Sequence, residues 1–113
     1  MKALTICGTR GLFGSVRIPG AKNSVLPMLA ASVLCHGTVT LTNVPCLSDV
    51  ASSVRILQSI GCRMTQHSGC ISVTSPETPG NAVSEELMRT MRSSLFYLAP
   101  MLARTGRARI GTP

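Results

Sequence analysis

The sequence predicts an α/β fold on three observations. Apolar residues recur at spacings of three and four within residues 24–36, 48–60 and 84–105, which is helical periodicity. Polar and apolar residues alternate over 38–44, the pattern of a half-buried strand. Glycine or proline stands where the pattern changes, at Gly37, Pro45, Gly61 and Gly106.

In the first helix Leu26, Leu29, Ala30 and Val33 share a face, and Gly37 comes after it where a C-terminal glycine is favoured. Pro27 has no N–H to donate and is tolerated best in a first turn, so Ser24 is the expected N-cap and Lys22 and Asn23 precede the helix. "TVTLTNV" then reads as a strand that Pro45 ends. "LSDVASSVRILQSIG" restarts a helix with Ser48 as cap, Asp49 in the favourable first turn, and Val50, Val54 and Leu57 on one face. "CRMTQHSGCISVTS" reads as a β-hairpin turning at Ser68-Gly69, with the polar loop "PETPGNA" after it. A third helix is expected over 84–105, its stripe formed by Leu87, Met91, Leu95, Leu98 and Leu102 and its axis kinked at Pro100. "RARIG" closes the order as a short strand.

The 113 residues suffice for one domain with a modest core, and the 44% hydrophobic fraction is that of a globular chain. Eleven basic residues, nine of them arginine, oppose four acids and leave a net charge of +7. That balance implies negatively charged partners. Nucleic acid is disfavoured, because Phe13, Phe96 and Tyr97 are the only aromatics and no nucleic-acid motif is present. The longest apolar run, 25–34, is about half a membrane span, so no membrane partner is expected. Cys7, Cys35, Cys46, Cys62 and Cys70 contain no CxxC pair, and the trio Cys62, His67, Cys70 lacks a fourth ligand, so the thiols read as free in a reducing, cytoplasmic compartment and no metal is expected.

Lys22 and Asn23 raise the sharpest question. A lysine before a helix faces the positive end of the dipole, disfavoured by a few tenths of a kcal/mol, roughly, unless an anion lies between. An ammonium, an amide and unpaired N–H groups together form a receptor for phosphate or carboxylate. A solvated loop lysine is the simpler alternative on spacing alone. Arg92, one position off the apolar stripe, reads as a snorkelling surface arginine, and Arg104, Arg107 and Arg109 as a solvated basic face.

The strings "GSVRIPGAKNSVLPMLAASVL", "LTNVPCLSDV" and "MRSSLFYLAPMLARTG", in this order over nearly the whole chain, closely resemble the N-terminal part of the UDP-N-acetylglucosamine 1-carboxyvinyltransferases, the enolpyruvyl transferases of peptidoglycan synthesis. The resemblance implies an inside-out α/β barrel of repeated helix and sheet units, only the N-terminal part being present. Residues 1–21 would be a strand segment that belongs in the family to the other domain, and 22–113 an incomplete first half of the next domain. The implied reaction moves the enolpyruvyl group of phosphoenolpyruvate onto the 3-hydroxyl of UDP-N-acetylglucosamine, with no cofactor. Lys22 and Asn23 of "GAKN" would contact phosphoenolpyruvate, Lys22 as the catalytic charge, and Arg92 of "MRSS" would contact UDP-N-acetylglucosamine.

The sequence also departs from the family pattern. A strand such as "RARIG" leads in the family into a loop "PGGC" whose cysteine acts on phosphoenolpyruvate; this sequence reaches Pro113 there, and none of its five cysteines takes that place. Gly8-Thr9 stands where two glycines are common. A fragment inactive by itself is therefore expected. A non-catalytic, nucleotide-sugar-binding remnant and a fragment of the related shikimate-pathway transferase are the alternatives, the latter typically carrying Lys-Ser where this sequence has Lys22-Asn23.

Overall fold

The computed structural model describes residues 2–111. Helix α1 spans Lys22–Ala31 and tightens into a 3₁₀ turn at Ser32–Leu34. It starts earlier than the position of Pro27 suggests: Ala21 is the N-cap, with no side-chain cap, and Ser24 lies inside the first turn. Pro27 removes only the backbone donor to the Asn23 carbonyl, a single bond near the exposed start of the helix. Lys22 and Asn23 are therefore the first two residues of the helix, corrected from an expected place in front of it.

Next along the chain come strand β1 (Thr38–Leu41), helix α2 (Ser48–Ser59), strand β2 (Arg63–His67) and strand β3 (Cys70–Thr74). The strand expected to reach Pro45 stops at Leu41, because Asn43 turns the backbone at a φ of 54°. Leu47, one residue before the expected Ser48, is the cap position of α2. The β2–β3 hairpin turns at Ser68 and Gly69 as expected, both with positive φ (47° and 76°), the two-residue geometry that suits a tight hairpin. The sheet order is β1-β3-β2, antiparallel throughout. Ile71 and Val73 of β3 point into the core, while Thr38 pairs with Thr74 (2.8 Å) and Thr40 with Ser72 (2.9 Å) through hydroxyls on the other face. Helices thus cover one face and water the other.

The expected third helix is three pieces: α3 (Glu85–Met88), a 3₁₀ segment (Arg92–Tyr97) and α4 (Leu98–Thr105). Met91 is extended, at φ −157° and ψ 149°. Local hydroxyls take the carbonyls that a continuous helix needs: Thr90 Oγ1 donates to Leu87 O (2.6 Å) and Ser94 Oγ to Met88 O (2.9 Å). The break re-phases the downstream residues, so Leu95, Leu98 and Leu102 of the expected stripe are exposed, and Met88, Tyr97 and Met101 are buried instead. Pro100 is the third residue of α4, within its first turn, where a missing N–H is best tolerated. Strand β4 (Ala82–Val83) pairs in parallel with β5 (Arg109–Ile110).

One arginine fixes the helices' relative direction. Arg104, expected on a solvated face, is half-buried; its guanidinium donates to the carbonyls of Val33, Cys35 (3.3 Å), Pro76 (2.8 Å) and Glu77 (3.1 Å) and to Ser75 Oγ (3.3 Å). The C-terminal end of α4 is thereby tied to the C-terminal end of the α1 segment. Pro27, Ala30, Ala31 and Leu34 line a groove together with Phe96, Ala99, Pro100 and Ala103, and the two helical segments run parallel, because the 3₁₀ segment 92–97 packs on α1 while α4 packs on the turn 32–34 that follows it. Tyr97 reaches α2, bonding the Ser53 hydroxyl in the core.

Residues 2–21 contain no helix or ladder. Leu4, Ile6, Leu12, Val16 and Ile18 are each at least 75% exposed, so the apolar side chains of this arm are uncovered. The radius of gyration, 17.3 Å, exceeds the roughly 13 Å of a compact chain of this length accordingly. Asn43 Nδ2 holds the arm's base through Ile18 O (3.2 Å). No helix among the described residues is long and apolar enough to cross a membrane.

Arg104→Met removes a forked donor from five acceptors, of which the Val33 carbonyl keeps only a long bond from Ser75 Oγ (3.4 Å), and a loss on the order of 2–3 kcal/mol is expected as a lowered urea midpoint. Arg104→Lys recovers only part of it, because an ammonium cannot serve both sides of the fork. A second prediction concerns pH. Burial raises the Tyr97 phenol above its ordinary 10.0 and the Cys62 thiol above 9.0. Both are raised in the folded state, so their stabilisation is complete below the unfolded values and is lost as pH climbs through them. Unfolding free energy measured by urea titration falls above about pH 9, and Tyr97→Phe flattens the part of that fall beginning near pH 10.

Candidate functional site

The first turn of α1 presents the N–H groups of Lys22 and Asn23, which have no intrahelical acceptor, while Ser24 N and Val25 N both donate to Ala21 O (3.1 and 3.0 Å). Gly20 sets the approach to this turn. A Cβ there would lie 2.0 Å from Asn43 O and 3.1 Å from the Pro45 ring, so only glycine lets the helix mouth close on the loop between β1 and α2. That closure brings the start of α2 to the start of α1. Lys22 Nζ lies 3.4 Å from Asp49 Oδ2, with the two side chains 50% and 25% exposed. The negative charge that the lysine needs is therefore supplied from within. In this exposure the pair contributes about 1 kcal/mol or less.

Three helical N-termini gather here or at the same end. Lys22 and Asp49 join α1 to α2 directly. The 3₁₀ segment that Arg92 opens runs parallel to α1 with Phe96 and Pro27 in one groove, so Arg92 lies at the same end as Lys22 and Asn23. Arg92 is exposed and has no ion pair among the described residues. Asn23 is exposed as well. A lysine, an amide and free first-turn N–H groups at the start of α1 suit a negatively charged ligand, and Arg92 is a further exposed cation at the start of the neighbouring segment.

The remaining candidates are scattered. Cys62 is buried just before β2, whereas His67 is exposed at the far end of that strand, so the strand keeps Cys62 away from His67 and Cys70. Cys7, Cys35 and Cys46 are exposed. Arg107 and Arg109 are exposed beside Asn81 and belong to neither helix mouth. Thr112 and Pro113, where the expected cysteine loop would begin, lie outside the described residues. Sequence reading missed the partnership of Asp49 with Lys22 and the need for Gly20; the only signal for the first is that Asp49 is the sole aspartate of the chain.

Residues 6–112 match the sequence model of the family described as EPSP synthase (3-phosphoshikimate 1-carboxyvinyltransferase). The chain belongs to that family. It is 40% identical over 110 residues to the UDP-N-acetylglucosamine 1-carboxyvinyltransferase of Synechococcus sp. (strain CC9605), 97% of this chain and 25% of that protein. It is 42% identical over 113 residues to UDP-N-acetylglucosamine 1-carboxyvinyltransferase 2 of Carboxydothermus hydrogenoformans, 100% of this chain and 27% of that one. The chain thus spans about a quarter of the length of these curated relatives. Among solved structures the enolpyruvyl transferase NikO from Streptomyces tendae superposes with a TM-score of 0.73 at 23% identity, over 84% of this chain and 22% of that one. The expected enolpyruvyl transferase fold is borne out.

Gly20→Ala tests how the mouth is built. The added methyl meets backbone, not a flexible side chain, so about 1–3 kcal/mol of stability is lost and the loop carrying Asn43 shifts. Amide NMR shifts that spread from Gly20 to Asp49 are the expected signature; changes confined to residues 19–21 would contradict it.

Proposed function

We propose that this chain is part of an enzyme that transfers the enolpyruvyl group of phosphoenolpyruvate to the 3-hydroxyl of UDP-N-acetylglucosamine, the first committed step of peptidoglycan synthesis in the cytoplasm. The observation that carries the reading is the identity of about 40% along essentially the whole chain to proteins named for that activity. The geometry of the helix mouth supports it. Lys22 and the free first-turn N–H groups neutralise the phosphate or carboxylate of phosphoenolpyruvate, and Asn23 adds an amide that orients it. Lys22 continues to balance charge as the substrate's planar carbon is attacked and phosphate departs. Arg92, at the same end, takes the UDP-sugar through its forked donors.

In this reading residues 1–21 add a strand to the second domain of the intact enzyme, which accounts for an arm with apolar side chains and no ladder of its own. The 113-residue chain alone then has no turnover, because the proton-transferring groups of the reaction are supplied by other parts of the enzyme. The family description itself names a 3-phosphoshikimate transferase, so shikimate 3-phosphate is the competing acceptor.

The test is made in the intact relative from Synechococcus, at the residue that aligns with Lys22. Its replacement by alanine is expected to lower kcat by about 10²–10³-fold, as removal of a transition-state charge does. Near-normal kcat would remove Lys22 from the mechanism. Grafting residues 1–111 of this chain onto the remainder of that enzyme gives a chimaera expected to turn over UDP-N-acetylglucosamine. Preference for shikimate 3-phosphate would replace the acceptor assignment.

A further inference from the structure

The Lys22–Asp49 pair joins the single aspartate of a strongly basic chain to one of its two lysines, at the place where the net charge matters most. Asp49 needs no lysine for its own sake. In the first turn of α2 its carboxylate is already favoured by the helix dipole, and Glu85 and Glu86 serve the same purpose at α3 with only Arg89 nearby. Lys22, in contrast, stands at the wrong end of α1 and gains from any negative group. The Nζ–Oδ2 separation of 3.4 Å, with both side chains reached by water, describes a contact that an incoming anion can replace.

We propose that Asp49 is a displaceable counter-ion of the anion site: it holds the Lys22 ammonium over the helix mouth until an anionic ligand takes its place, and its charge limits how tightly that ligand is held. Asp49 is thus a positioning residue that acts through Lys22. The inference rests on the reading of Lys22 and Asn23 as the anion site. Its consequence for a turnover cycle is that a phosphate left at the mouth competes with Asp49 for the lysine, which favours release over retention.

The experiment titrates the 113-residue chain and its variants with inorganic phosphate and with phosphoenolpyruvate, by calorimetry at low ionic strength, with amide NMR spectra confirming that each variant is folded. Asp49→Asn removes the charge and keeps the shape; its affinity for both probes rises about fivefold, the factor that one charge about 4 Å away exerts in water. Asp49→Glu, which restores the charge, binds as the parent does. The gain from Asp49→Asn shrinks as salt is added and vanishes when Lys22→Ala is combined with it. A folded Asp49→Asn chain that binds no tighter, or a gain that survives Lys22→Ala, overturns the counter-ion role while leaving the site in place. If the parent binds neither probe, or binds both as well after Lys22→Ala, the anion site itself fails and the counter-ion falls with it.

Discussion

The arrangement of the helices depends on the guanidinium of Arg104. It draws the end of α4 to the carbonyls at the end of the α1 segment and in the loop after β3, two pieces that Ser75 Oγ also joins by donating to Val33 O (3.4 Å). A helix end leaves carbonyls without donors, and one forked cation satisfies several of them at once. With the C-terminal ends held in common, α1 and α4 run parallel, and the starts of α1 and the 3₁₀ segment face the same way. The charge distribution of the candidate site is a consequence of that constraint at the opposite end of the helices.

The second constraint is close approach. Gly20 lets backbone meet backbone where α1 begins, and the loop it touches leads directly into α2. Lys22 and Asp49 come within reach of each other because of it. The core beneath, from Leu26, Leu29 and Val33 to Leu57, Ile60, Val73 and Met101, fixes the spacing of these helices but not their direction; apolar contacts alone tolerate several packings. Polar groups with defined geometry, Arg104 at one end and the Tyr97–Ser53 bond within, select one of them.

Local pattern made much of the fold legible. The faces of α1 and α2 and the Ser68-Gly69 hairpin were readable because each depends on residues a few positions apart. The third helix was not, because the side chains that break it are Thr90 and Ser94, ordinary residues whose hydroxyls compete for carbonyls only in a particular backbone conformation. Arg104 was misread for a related reason: nothing in its neighbourhood announces acceptors contributed by residues 33 to 35 and 75 to 77. At the site, Lys22 and Asn23 were singled out from the sequence, while their roles and that of Arg92 came through resemblance. The pairing of Lys22 with Asp49 is a tertiary contact that no periodicity encodes.

The central claim is that the positive ends of these helices form one anion site. Mapping amide NMR shifts of this chain during titration with phosphoenolpyruvate tests it most directly. The account predicts that the largest changes fall on Lys22, Asn23 and Ser24, with smaller ones at Asp49 and Arg92. Changes centred on Arg107 and Arg109, with the start of α1 unmoved, would contradict it.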